Sequence, residues 1–166
     1  MRKAPLLVLI LLLVTGSAQA DFNDGVVALM MGKYDDALQT LVPLAETRDH
    51  AYAQYFLGRM YADGQGVAKD PERAAEWYRK AAEQGVADAQ FRLGQLYENG
   101  DGVPTDLEYA FGWYGVAAHL GNANGDEAYA RTRERLSAEE LVEAEKLARE
   151  FIQKYGKLAA GTARQQ

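Results

Sequence analysis

Laid over each other without a gap, Ala51–Val86 and Ala87–Asn122 carry the same residue at 17 of 36 positions. A period of this length is the mark of a supersecondary unit that cannot bury its apolar face alone and must stack on its neighbour. The repeated letters also state what the unit is. Ala53, Leu57, Gly58 and Tyr61 fall at i, i+4, i+5 and i+8, and Ala74, Trp77, Tyr78, Ala81 and Ala82 at i, i+3, i+4, i+7 and i+8. Both spacings place their residues on one face of a helix. Each copy therefore reads as helix, glycine loop, helix. The spacing predicts helices near 51–62, 70–84, 87–98 and 106–119.

The loops "YADGQGVAKD" (61–70) and "YENGDGVPTD" (97–106) invite a phosphate-cradle reading. Such cradles need a preceding strand and a longer glycine pattern. Here a helix precedes each loop, and an Asp would face the phosphate. The structural reading accounts for every repeated letter. Gly64 and Gly100 sit where a helix ends in positive φ. Gly66 and Gly102 make a second bend, and Val67 and Val103 plug the helix pair. Asp70 caps the next helix ahead of Pro71, and Asp106 repeats the cap. Gly58 and Gly94 lie in helix interiors, where Gly costs about 1 kcal/mol. The expectation is that the partner helix, with Trp77 or Trp113, comes too close for a side chain.

Upstream, residues 21–50 read as a shorter N-terminal unit with helices near 22–31 and 34–47, the second kinked at Pro43. Downstream, a helix near 124–135 precedes Ser137-Ala138-Glu139-Glu140, an S-x-x-E capping box. That box opens an amphipathic helix over about 137–154, with Leu141, Ala144, Leu147, Ala148, Phe151 and Tyr155 on one stripe and Glu139, Glu143, Lys146, Glu150 and Lys154 opposite. A repeat array exposes an apolar end, and this helix is suited to cover it. Residues 156–166 lack periodicity and read as a flexible tail.

The first twenty residues stand apart. Arg2 and Lys3 precede an apolar run from Leu6 to Val14, then Ala18-Gln19-Ala20. This is the pattern of a secretory signal peptide over 1–20, too short to span a bilayer, which takes about 20 apolar residues. The expectation is an exported chain, periplasmic or secreted, with no membrane span after cleavage. Without Arg2 and Lys3 there are 16 basic against 24 acidic residues, a net −8. That balance argues against nucleic acid and anionic membrane surfaces as partners. With no Cys, the fold is held by packing alone.

The string A-x-A-Q-x-x-L-G-x-x-Y-x-x-G-x-G-V-x-x-D-x-x-x-A-x-x-W-Y-x-x-A-A-x-x-G, read twice over Ala51–Gly121, resembles the Sel-one-like repeat, an α/α relative of the tetratricopeptide repeat. The resemblance implies an all-α, right-handed α-solenoid of antiparallel helix pairs, about eight helices, ending in a C-terminal capping helix. Its parts would be the N-terminal unit 21–50, repeats 51–86 and 87–122, and a capping helix pair 123–155. It also implies a scaffold that binds proteins or peptides on its concave face. One group of small secreted members is disulfide-stapled and was first described as penicillin-binding. This chain has no Cys, so that activity is not carried over.

Chemistry has little to work with. The two Ser are Ser17, in the leader, and Ser137, a helix cap. His50 and His119 have no second ligand at metal spacing. No cofactor, metal or catalytic residue is expected, which leaves an unidentified protein or peptide as the partner. Among the positions that differ between the first helices of the two copies are Tyr52, Tyr55, Arg59, Ala62 and Asp63, and Asp88, Phe91, Gln95, Glu98 and Asn99. These form a second stripe, rich in types that dominate binding hot spots. In tetratricopeptide-like units the corresponding stripe lines the groove. Tyr55 and Phe91 also suit packing between helices. A secreted hydrolase acting on cell-wall peptide or a β-lactam, and an exported effector contacting host proteins, are the alternatives.

Overall fold

The computed structural model describes residues 21–157. The expected signal peptide over 1–20, and residues 158–166 of the expected tail, lie outside the described residues. The described residues form eight helices and no strand. α1 is helical over 21–30. The others are α2 (Tyr34–Thr47), α3 (Ala51–Asp63), α4 (Pro71–Glu83), α5 (Ala87–Asn99), α6 (Leu107–His119), α7 (Ala123–Arg133) and α8 (Ala138–Tyr155). Successive helices pack on each other from α2 through α7, which is the arrangement of an α-solenoid. Pro43 lies inside α2, and the helix runs on through it to Thr47.

The helix ends follow the expected chemistry. Asp70 and Asp106 have extended backbone, and their side chains accept from the amides of Arg73 and Tyr109. Pro71 takes the first position of α4. Gly64 and Gly100 end α3 and α5 in the left-handed region, at φ +71° and +78°. Ser137 and Glu140 form the complete capping box of α8.

Gly58 and Gly94 do mark a close approach, but the neighbour is not the tryptophan. A Cβ on Gly58 would lie 2.6 Å from the ring of Tyr78, and one on Gly94 would lie 2.6 Å from the ring of Tyr114. In each copy it is the repeated tyrosine, one position after the tryptophan, whose ring meets the glycine of the facing helix. Gly66 and Gly102 do more than bend the loop. A Cβ on Gly66 would meet Tyr34, the first residue of α2, at 2.5 Å. One on Gly102 would meet the carbonyl of Pro71, the first residue of α4, at 2.2 Å. Each second loop glycine thus seats its unit on the start of the previous unit's second helix.

A second staple repeats between units. The Gln54 amide donates to the carbonyl of Ala45, and the Gln90 amide to that of Ala82. Both side chains are buried. In the first joint Gln84 donates to the Gln54 carbonyl oxygen, so that group is satisfied. The position equivalent to Gln84 in the next copy is Leu120, and the Gln90 carbonyl oxygen is left without a partner among the described residues.

α7 and α8 both pack on α6. The reason lies in where the copies differ. Glu76, Arg79 and Lys80 on α4 correspond to Gly112, Gly115 and Val116 on α6. The charged face of α4 thereby becomes a small, apolar platform on α6. Phe151 comes within 3.0 Å of where a Gly112 Cβ would sit, and Ala148 within 3.5 Å of that of Gly115. Trp113 is buried under Phe151 and Tyr155, stacked on the latter with centroids 5.1 Å apart. Trp77, at the same place in the earlier copy, is only half-buried and carries Lys80 over its ring at 4.2 Å.

Candidate functional site: two channels, one closed

Stacking helix pairs places α3, α5 and α7 side by side, and a channel runs between each neighbouring two. The floor is the second helix of the unit between them. The first channel is lined by Arg59, Ala62 and Asp63 of α3, Arg92, Gln95, Leu96 and Asn99 of α5, Asp101 of the loop and Tyr78 of α4. Its volume is about 210 Å³. Small-molecule sites run to roughly 300–1,000 Å³, so this hollow fits one or two side chains of a longer ligand. A larger hollow, about 360 Å³, sits at the α1–α2 turn. Turn backbone and the first-turn residues Asp35 and Asp36 form its walls, and those carboxylates suit the start of α2.

The first channel holds two guanidiniums with no carboxylate partner among the described residues. Arg59 lies over the ring of Phe56, 5.7 Å from its centroid. Arg92 donates to Gln95 at 3.0 Å. Tyr55 packs on Tyr78 with ring centroids 6.0 Å apart. Burial raises the Tyr78 hydroxyl above the ordinary phenol value, and Arg92 and Arg59 pull it partly back. Burial likewise raises Tyr55, with the Asp88 carboxylate adding to it and the two arginines opposing. Both phenols stay neutral donors in water near neutral pH.

The second channel, between α5 and α7, is the same place one repeat later, and it is shut. The Glu98 carboxylate accepts from the Tyr114 hydroxyl at 2.6 Å and pairs with Arg131 at 3.0 Å and with Arg135. Its side chain is only 11% exposed. Burial would raise this carboxyl, but the Tyr114 hydrogen bond and the two guanidiniums outweigh that and hold it below the usual carboxylate range. Phe91 packs on Tyr114 with centroids 5.8 Å apart.

The stripe read from the sequence therefore divides. Arg59, Ala62, Asp63, Gln95 and Asn99 meet in the first channel, with Tyr55 against its floor. Phe91 and Glu98 belong to the closed channel. Tyr52 is half-buried with its ring 6.5 Å from that of Phe22, on the α1 side. Asp88 is exposed and accepts from Asn122, tying the start of α5 to the α6–α7 joint. Tyr78, Arg92 and Leu96 were absent from the stripe. Tyr78 is a repeated letter and reads as core alone. Arg92 carried a signal, since its counterpart is Phe56, and a change from ring to charge marks a position released from the core.

His50 is the N-cap of α3. Its Nδ1 accepts from the amide of Ala53, and Phe22 stacks on it with centroids 4.5 Å apart. No group of three or more His, Cys, Asp or Glu among the described residues is placed to hold a metal ion. No helix among them is long and apolar enough to cross a membrane.

Residues 51–86 and 87–122 each match the family description "Sel1 repeat". Among solved structures, the chain is similar to a protective antigen of uropathogenic Escherichia coli strains displaying an SLR fold. That match has a TM-score of 0.80 and 33% identity, covering 92% of this chain and 35% of the antigen. It is also similar to a Sel1 repeat protein from Oxalobacter formigenes, with a TM-score of 0.63 and 33% identity, over 78% of this chain and 55% of that one. The chain thus spans about a third and about half of the length of these two chains. No curated protein matches it.

Proposed function

Because the chain is a Sel1-repeat protein, we propose that it is an exported, non-catalytic scaffold that seats a peptide or protein segment in the channel between α3 and α5. The Sel1-repeat fold is typical of protein–protein interaction scaffolds. The observation that carries the site is the contrast between the channels. Glu98, Arg131 and Arg135 occupy one with the chain's own charges. The other keeps two unpaired guanidiniums, an aromatic floor and variable walls open to solvent. Aromatic and arginine side chains at the centre of a concave surface are what most interfaces use for affinity. One channel of this size engages a short segment, which makes for modest affinity.

Export is supported by the leader pattern over 1–20 and by the similarity to a protective antigen. Absence of catalysis is supported by the inventory. The one Ser beyond the leader caps α8, and the His50 imidazole is engaged as a helix cap. Two measurements test the reading. A photocrosslinking residue at Asp63, in the channel, should trap a protein partner in the living cell, whereas one at Glu143, on the solvent face of α8, should not. Adducts from Glu143 alone would refute the site. A C-terminal reporter active only outside the cytoplasm should work with residues 1–20 present and fail without them; equal activity would refute export.

A further inference from the structure

The α3–α5 channel is electrically polarised along its length. Tyr55 and Arg59 on α3 and Arg92 on α5 lie toward one end. Asp63 ends α3, and Asn99 and Asp101 lie at and beyond the end of α5, toward the other. The carboxylate end also receives the negative ends of both helix dipoles. Arg59 and Arg92 face each other across the channel from α3 and α5, with Tyr78 of α4 in the same lining. Phe56 holds one of them, and Gln95 the other, without neutralising either. Guanidiniums held in place but uncompensated, beside neutral phenol donors, are arranged for a carboxylate. Asp63 and Asp101 have no ion-pair partner among the described residues either.

We propose that the partner segment is dipolar: an acidic side chain seated between Arg59 and Arg92 over Tyr78, and a basic side chain lying toward Asp63 and Asp101. Resting on the channel reading above, this adds the chemistry of the occupant. The spacing follows from geometry. Arg59 and Asp63 are four residues apart on α3, about 6 Å at the helical rise. An extended peptide covers that in about two residues, and side chains two apart point the same way. The recognised pattern is therefore an acid and a base separated by one residue. A segment with only acids would meet Asp63 and Asp101, and one with only bases would meet the arginines. Polarity thus selects against both.

The test is a random displayed-peptide library selected on the full chain, followed by synthesis of the enriched peptides. Enrichment of an acid-x-base or base-x-acid pattern is expected. Replacing the peptide's acid by its amide should weaken binding to the unaltered protein by about tenfold, the scale of one charge-assisted hydrogen-bonded contact. The same replacement should change little against Arg59→Gln/Arg92→Gln. Ala62→Trp, which fills the channel, should abolish binding, with circular dichroism confirming that each variant is folded. If Ala62→Trp abolishes binding while Arg59→Gln/Arg92→Gln leaves it intact, the dipolar occupant is wrong and the channel stands. Undiminished binding by Ala62→Trp would sink the channel itself, and a library that yields no enriched peptide would count against both.

Discussion

Three glycines that look alike in the sequence carry different loads, and alanine substitution separates them. Gly64, Gly100 and Gly102 all have positive φ, at +71°, +78° and +71°. Forcing alanine into that region costs about 1–2 kcal/mol, partly offset by a stiffer unfolded chain. At Gly64 nothing more is asked, because the added Cβ finds its nearest atom, the Cβ of Lys69, at 3.4 Å. Gly64→Ala should therefore cost about 1 kcal/mol, some 3–4 °C in melting temperature for a chain of this size. At Gly100 the near atom is the Thr105 hydroxyl at 2.5 Å, a side chain free to turn, so alanine should cost little more. At Gly102 the Cβ would sit 2.2 Å from the Pro71 carbonyl oxygen and 2.6 Å from the Glu72 amide nitrogen. Backbone at the start of a helix cannot rotate away. The loop must lift by about an ångström, and overpacking of that kind adds roughly 1–3 kcal/mol. Gly102→Ala should thus cost about 2–4 kcal/mol, a fall of roughly 6–16 °C. Matched thermal melts of the three variants give the assay. If Gly102→Ala melts with Gly64→Ala, the second loop glycine does not rest on α4, and the account of how the units stack is wrong.

Other consequences are quick to check. Glu98→Gln should remove the clasp across the second channel, costing roughly 1–2 kcal/mol and raising amide hydrogen exchange in α7 before α3 or α4; uniform exchange would refute a local clasp. Gly100→Val, a β-branched residue at positive φ, should cost a few kcal/mol, clearly more than Gly100→Ala; an unchanged melt would contradict the left-handed helix end. His50 gives a pH signature. Burial lowers its folded value below the ordinary imidazole value, about 6.5, and its own backbone opposes this more weakly. The cap needs an unprotonated Nδ1, so its stabilisation is present above that value and is lost as the pH falls through the folded one. As the pH falls below about 6.5, the unaltered chain should lose stability that His50→Asn, a non-titrating cap, retains; parallel curves would refute the role of Nδ1.

The repeat made the scaffold readable. The shared letters at helical spacings and helix ends placed α3 to α6, the Asp70 and Asp106 caps and the glycine ends. What escaped was decided between helices. The partner helix with Trp77 was expected against Gly58, but on a helix the neighbouring residue points about 100° away, and that turn puts Tyr78 there instead. The channel was half legible. Comparing the first helices of the two copies found Arg59, Asp63 and Gln95, but it did not reach Tyr78 on the second helix, whose ring serves both core and floor. The same comparison kept Glu98, whose partners, Arg131 on α7 and Arg135 in the turn after it, lie in a segment with no counterpart in the alignment of the two copies. The platform for α8 was also written in the chain, as Gly112, Gly115 and Val116 in place of Glu76, Arg79 and Lys80. Reading it needs the differences between copies rather than the agreements.

The central claim is that one channel is open for a partner and its successor is closed by the chain itself. An amide chemical-shift titration of the full chain with a library-selected peptide tests it directly. The largest shifts should fall on Arg59, Ala62, Asp63, Gln95 and Asn99, with Glu127, Arg131 and Arg135 unmoved. Shifts centred on α7, or spread over the outer face of α8, would contradict it.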